Sequence, residues 1–315
     1  MWKSFKKNCK LKGKKYALRK AIQEICGLQE YQEQIDTIYY FLNKYVDITQ
    51  VPPAEGSLRL MQQADAELLQ IFHKVCAKNN LTYWLDWGTL LGAVRHKGFI
   101  PWDDDLDVTM PREDYERAVT LFQEEFAKLG IEAKESEDES MARIGIGYKT
   151  GQTGVWLDVF PMDYTYVEKI DPRTEEKLYE RMTEYRKFYL KNRRKTSRLQ
   201  MFDQKHQMID TVKEENDVKL WYHNPEFEID LCAYAQEDIF PLKKTIFEGK
   251  EYYTPSNIDK YLRKNYNNYM SFPHRDVEHH GNGQIKLSAY AENSNVDMKS
   301  IIEELSKISG QFDNI

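Results

Sequence analysis

Apolar positions along the chain follow two spacings, which divide it into helical and extended stretches. Between Ser57 and about Asn79, Leu58, Met61, Leu68, Ile71, Phe72, Val75 and Cys76 recur at the helical period and form one stripe. Ser57 is placed to cap its first turn. The same period predicts a helix over 112–129, with Tyr115, Ala118, Val119, Phe122 and Phe126 on its buried face and Gly130 as its stop. It also predicts a closing amphipathic helix over 296–309 and an N-terminal helix over 20–48 carrying Ile22, Ile25, Ile35, Ile38 and Leu42. Val51-Pro52-Pro53-Ala54-Glu55-Gly56 ends that first helix, because paired prolines cannot continue one. Alternation predicts strands over 81–86, from Asp105 to Met110, over 141–149 and over 155–160. A hairpin over 247–253 and a helix from Ser256 to about Asn265 follow, while 173–220 is charged and helical in pattern. The expected class is α+β. A basic arm and helical extension (1–50) precede a catalytic body (57–290) and a C-terminal helix (291–315).

Composition narrows this little. A hydrophobic fraction of 41% suits a chain with a sizeable core. Cys9, Cys26, Cys76 and Cys232 show no paired spacing, so neither a disulfide framework nor a zinc site is expected. No apolar run reaches the length of a membrane span, and a reducing cytoplasm is the expected setting. Net charge is −6, yet residues 1–20 hold nine Lys and Arg with Trp2, Phe5, Leu11 and Tyr16 between them. Such a segment is drawn to an anionic leaflet by about 1 kcal/mol per basic residue. Peripheral attachment at the inner face of the membrane through residues 1–20 is therefore expected, with a plain solvated tail as the competing reading. No nucleic-acid partner is expected.

Chemistry concentrates in residues 84–110, WLDWGTLLGAVRHKGFIPWDDDLDVTM. Asp103, Asp104, Asp105 and Asp107 fall within five residues. Strand side chains repeat every two residues, so Asp105 and Asp107 share one face while Leu106 and Val108 enter the core. Two such carboxylates repel unless a proton or a cation separates them, and Mg²⁺ or Mn²⁺ suits oxygen ligands that leave room for phosphate. Gly88 and Thr89, between an extended and a helical stretch, place backbone N–H groups where an anion can sit. Arg95 offers a fork for a phosphate, and His96 or Lys97 a further donor. The competing reading of the acidic run is a solvated turn capping the next element. Asp158 sits between Leu157 and Val159 and also opposes the local apolar face.

Gly88-Thr89-Leu90-Leu91-Gly92-Ala93-Val94-Arg95-His96, Gly98, Ile100-Pro101-Trp102 and Asp103-Asp104-Asp105-Leu106-Asp107-Val108 together resemble the signature of the LicD/fukutin-like phosphotransferase family. A weaker resemblance touches 156–163, 247–250 and 266–270. It implies a nucleotidyltransferase-like mixed sheet, with Asp158 arriving from a neighbouring strand as third acid beside Asp105 and Asp107. It implies that His279 and His280 contact the substrate diphosphate. The implied substrates are a CDP-activated alcohol, CDP-choline foremost with CDP-ribitol and CDP-glycerol as variants, and a glycan or lipid-linked polysaccharide acceptor. Phosphocholine would then pass to a hydroxyl of a cell-surface glycan or teichoic-acid precursor, releasing CMP. Asp103 is the favoured proton acceptor, with Asp158 the other candidate. Two alternatives stand beside it: transfer of a nucleoside monophosphate from a triphosphate, and a catalytically silent nucleotide- or glycan-binding module.

Overall fold

The computed structural model describes residues 28–135, 143–150, 153–211, 214–215, 217–225, 233–272 and 297–311. The basic segment 1–20, His279 and His280 lie outside the described residues. The chain divides into two compact units, Met1–Val51 with Met270–Arg275, and Pro52–Tyr269 with Asp276–Ile315.

In the first unit, helix α1 (Leu28–Tyr45) is followed by a short 3-10 turn, Ile48–Gln50, capped by the Asp47 side chain. Phe272 N donates to Asn43 Oδ1 at 2.6 Å. The apolar period read from the sequence is present, yet Tyr31, Ile35, Ile38 and Tyr45 remain exposed. Periodicity reports which residues share a face, not whether anything covers it.

The second unit is built on a sheet that is seven-stranded among the described residues. Its spine is β5 (Trp156–Val167). Strand β2 (Asp107–Pro111) runs parallel along one edge of it, and β1 (Trp84–Leu85) runs antiparallel to β2. Strand β4 (Ile144–Gly147) flanks the first half of β5 and pairs outward with β3 (Glu132–Glu135). Strand β6 (Val218–His223) pairs with the second half and carries β7 (Ala233–Ala235). A separate hairpin, β8 (Lys243–Phe247) with β9 (Lys250–Thr254), falls where expected.

Four helices match the sequence pattern closely: α2 (Gly56–Lys78), α4 (Arg112–Ala127), α8 (Ile258–Tyr266) and α9 (Met298–Gly310), while the short α7 (Gln236–Ile239) precedes the β8–β9 hairpin. Helix α2 drives Phe72 into an edge-on cluster with Tyr83 and Phe122. Helix α9 adds Ile301 and Leu305 to the same core, and Lys74 of α2 donates to the carbonyl of Ser309. The charged stretch resolves into α5 (Pro172–Asn192), α6 (Arg198–Ile209) and then strand β6, so the expected helical run stops early.

Strand β5 runs past Pro161, where the sequence reading ended it. Met162 pairs with Pro111 of β2 and with His223 of β6, so β6 occupies the edge of β5 that β4 has left at Val159. Pro161 falls at this change of partner, where a missing N–H disrupts least. The longer strand places Asp163 at a buried position of β5. There Arg112 grips it through two contacts of 2.8 Å, and the buried Lys205 donates to Oδ2 at 2.7 Å.

Burial alone would raise the Asp163 carboxyl, but Arg112 and Lys205 more than reverse that and hold it below the usual carboxylate range. A carboxyl depressed in the fold stabilises it above the unfolded pKa of about 3.9 and stops doing so as pH falls through the folded value. Asp163→Asn removes the buried carboxylate that Arg112 and Lys205 share and is expected to cost about 3–5 kcal/mol at neutral pH. Urea unfolding at pH 7 and pH 3 checks this: the deficit should shrink at the lower pH.

Candidate active site

The register of the sheet builds the site. In the parallel ladder Asp107 of β2 lies opposite Asp158 of β5, and Asp158 N donates to Leu106 O at 2.8 Å. Opposed residues of neighbouring strands project from the same face, so the two carboxylates stand side by side. Asp105 lies just ahead of β2 rather than within it. Asp103, Asp104 and Asp105 offer oxygen atoms that all fall within 4.8 Å of one another.

The electrostatics reflect this crowding. Burial raises the Asp107 carboxyl well above its usual range, and the charges of Asp105, Asp158, Asp103 and Asp86 add to it. Burial lifts Asp158 to about 6 against the pull of Arg143 and the Trp156 indole, with Asp105 pushing the other way. Asp158 Oδ1 accepts from Trp156 Nε1 at 2.6 Å and pairs with Arg143 Nε at 2.9 Å. Gly145 leaves room for that indole, because a Cβ there would meet the Trp156 ring at 1.9 Å.

Helix α3 (Trp87–His96) faces the acids. It begins earlier than the sequence suggested: Asp86 caps it, and Gly88 and Thr89 belong to its first turn. Thr89 Oγ1 accepts from Asp107 N at 2.8 Å, fixing the start of β2 to the helix. A Cβ on Gly88 would lie 2.6 Å from Asp103 Oδ2, so the helix backbone approaches the acid directly. At the far end Arg95 is buried, and its Nε and Nη2 both donate to the carbonyl of Tyr269. Burial lowers Arg95 to about 10 and lowers His96, with Arg95 adding to the effect. Lys97 is exposed and closes the helix in the left-handed conformation, φ +56°.

Two residues of α2 reach the site without having been singled out in the sequence. Gln62 Nε2 donates to Asp103 O at 2.9 Å and holds the acidic loop. Asp65 is fully buried; its Oδ1 accepts from Trp156 N at 3.0 Å, while its Oδ2 has no hydrogen-bond partner among the described residues. Burial raises the Asp65 carboxyl well above its usual range, and Asp105 and Asp104 add to the rise. A polar residue inside the stripe that runs from Met61 to Leu68 was the available signal. The Phe247–Lys250 resemblance also gains a physical role. Arg59 holds Glu248 through contacts of 3.0 and 2.7 Å, and Glu248 accepts from Phe99 N, pinning the loop that leads to the acids.

This oxygen-rich donor set, with a buried unpartnered carboxylate oxygen beside it, fits a hard divalent cation. Residues 80–201 match the family model described as LicD/FKTN/FKRP, nucleotidyltransferase domain. Residues 80–201 are thus a LicD-family nucleotidyltransferase domain. It is 26% identical over 245 residues to the lipopolysaccharide cholinephosphotransferase LicD of Haemophilus influenzae, covering 69% of this chain and 92% of that protein. It is 36% identical over 113 residues to an uncharacterized protein of Rickettsia typhi, covering 34% of this chain and 36% of that one. It is 31% identical over 120 residues to the ribitol-5-phosphate transferase FKTN of Mus musculus, covering 38% of this chain and 24% of that one. A domain of this family marks an enzyme of nucleotidyltransferase or phosphotransferase type acting on a glycan or small-molecule acceptor. No helix among the described residues is long and apolar enough to cross a membrane.

Gly88→Ala is expected to displace Asp103 and to weaken Mn²⁺ binding by roughly tenfold or more, the usual effect of disturbing groups that orient metal ligands. Isothermal titration with Mn²⁺ alone measures this. A melting temperature within a few degrees of wild type would place the loss in the site rather than in the fold.

Proposed function

We propose that the protein transfers a phospho-alcohol, phosphocholine foremost, from a CDP-activated donor to a hydroxyl of a cell-surface glycan or teichoic-acid precursor, releasing CMP. The observation that carries this reading is the in-register pair Asp107 and Asp158, abutting the Asp103–Asp105 oxygen cluster. Support for choline comes from the span of the match to the Haemophilus cholinephosphotransferase, which covers nearly all of that protein. The partial match to a ribitol-5-phosphate transferase keeps CDP-ribitol as the second donor to test.

Asp105, Asp107 and Asp158 would hold Mg²⁺ or Mn²⁺, with Asp103 and Asp104 adjoining. When bound, the ion neutralises diphosphate charge and eases departure of the nucleotide. The chain's own groups position the reactants. Thr89 fixes Asp107 from the helix side, and the first turn of α3 brings backbone N–H groups toward the anion. Lys97, exposed at the left-handed cap, takes the phosphate contact ahead of Arg95, whose guanidinium is engaged with Tyr269. Trp156 and Arg143 keep the Asp158 carboxylate oriented and its charge partly balanced. The basic segment 1–20 brings the enzyme to the inner face of the membrane, where lipid-linked acceptors are built.

Thermal shift with Mg²⁺ and a panel of CDP-choline, CDP-ribitol, CDP-glycerol and CDP-ethanolamine identifies the donor, since a ligand bound only by the native state raises the melting temperature. Product analysis should then find CMP; pyrophosphate from a nucleoside triphosphate would instead establish nucleotidyl transfer. Asp107→Asn removes charge but little volume, and turnover should fall below about a tenth of wild type, more than 1.4 kcal/mol of transition-state stabilisation. Retention of more than that tenth removes Asp107 from the site. Deletion of residues 1–20 should lower sedimentation with anionic vesicles while sparing activity on a soluble acceptor.

A further inference from the structure

The acid cluster shares its sheet face with a second group of ionisable side chains. Asp86 is completely buried, and its Oδ1 accepts from Trp87 N at 2.8 Å. Its Oδ2 accepts from Thr109 Oγ1 at 2.6 Å and Tyr261 OH at 2.8 Å, and lies 3.0 Å from His223 Nε2. A carboxylate only accepts, so Nε2 is the ring nitrogen that carries the proton. The Tyr261 oxygen, 3.1 Å from Nε2, has given its own proton to Asp86 and accepts as well. These contacts select, for the neutral form of the ring, the tautomer whose Nδ1 carries an acceptor lone pair. That atom is buried and has no hydrogen-bond partner among the described residues. The ring is clamped by a stacked Trp87 at 4.5 Å and met edge-on by Tyr234 and Tyr261. Asp86, Tyr261 and Tyr234 are the titratable groups packed against it.

The pleat puts this ring on the face that carries the acids. His223 pairs with Met162, two alternations along β5 from Asp158, and Thr109 follows Asp107 by one alternation on β2. Thr109 and His223 meet at the same oxygen of Asp86. Trp87, stacked on the ring, immediately precedes Gly88, whose backbone abuts Asp103. The two carboxylates first considered for proton removal are otherwise engaged. Asp158 Oδ1 already receives the Trp156 indole and the Arg143 guanidinium, and Asp103 belongs to the oxygen cluster suited to a cation.

We propose that Nδ1 of His223, held by Asp86, accepts the proton of the attacking hydroxyl, an assignment that rests on the transfer reaction proposed above. In that step the hydroxyl oxygen bonds to phosphorus and its proton passes to Nδ1. The bond from phosphorus to the bridging oxygen breaks, and its electron pair leaves with CMP. Asp86 stabilises the imidazolium until the proton is returned to solvent after product release.

His223→Gln keeps an amide N–H within reach of Asp86 and lacks an equivalent of Nδ1. CMP release from CDP-choline by the full chain with Mg²⁺, followed across pH, is the assay. The expected result is a fall in kcat of about a hundredfold or more with little change in KM, and loss of the acid-side limb of the wild-type profile. Thr109→Val is a near-isosteric second variant that leaves Asp86 with one donor fewer. The carboxylate then stabilises imidazolium more strongly, so the acid limb should move to higher pH. A His223→Gln enzyme that keeps the wild-type kcat and acid limb overturns the proposal, as does an unmoved limb in Thr109→Val. Wild-type protein inert toward every CDP-alcohol fails differently: it removes the transfer reading itself, and this assignment with it.

Discussion

The structure depends on a parallel ladder that sets Asp107 opposite Asp158. Two carboxylates on adjacent strands, near a third on the approach to β2, repel one another in a site where burial already penalises charge. Neither can move away without breaking the sheet. Leu106 O receives the N–H of Asp158, Val108 and Val159 are completely buried, and Thr89 holds the N–H of Asp107. The fold therefore holds an unfavourable concentration of negative charge in place. A cation relieves that repulsion, and a cation with open positions can then recruit phosphate.

Several remote features serve this constraint. Gln62 and Asp65, one helical turn apart on α2, bind the acidic loop and the start of β5 respectively. Arg59 and Glu248 join α2 to the β8–β9 hairpin and, through Phe99 N, to the loop entering the acids. Gly92 lets that loop pass over α3, since a Cβ there would fall 2.5 Å from Gly98 O. On the opposite face of β5, Asp163 with Arg112 and Lys205 fixes the strand beyond Pro161. The same strand thus carries an under-compensated acid on one face and an over-compensated one on the other.

Much of this was legible in the sequence where the signal was local. The stripes of α2 and α4, the β8–β9 hairpin and the acidic motif lie within short windows, so periodicity and spacing recover them. Pairings between distant segments were not legible. His223 is one histidine at the end of a strand, and nothing near it in sequence indicates that Asp86, 137 residues away, holds its ring. The strand carrying Asp158 was ended at Phe160 because proline ordinarily ends a strand; the change of partner from β4 to β6 exists only in three dimensions. Arg95 shows the same limit: its residue type suggested a phosphate clamp, and nothing local announces that two of its guanidinium nitrogens donate to Tyr269 O.

The distribution of hydrogen bonds separates the acids by role more sharply than their spacing does. Asp86 and Asp163 are buried with both oxygens engaged by donors from the chain itself, so neither calls for a ligand from outside. Asp65 keeps an unpartnered buried oxygen, and Asp107 sits among four other acids that raise it further. A buried acceptor without a partner costs stability unless something later satisfies it. Five residues of sequence place four aspartates together, but it is the surrounding donors, drawn from α3, α4, α6, α8, β2 and β6, that decide which carboxylates are anchors and which still require a ligand.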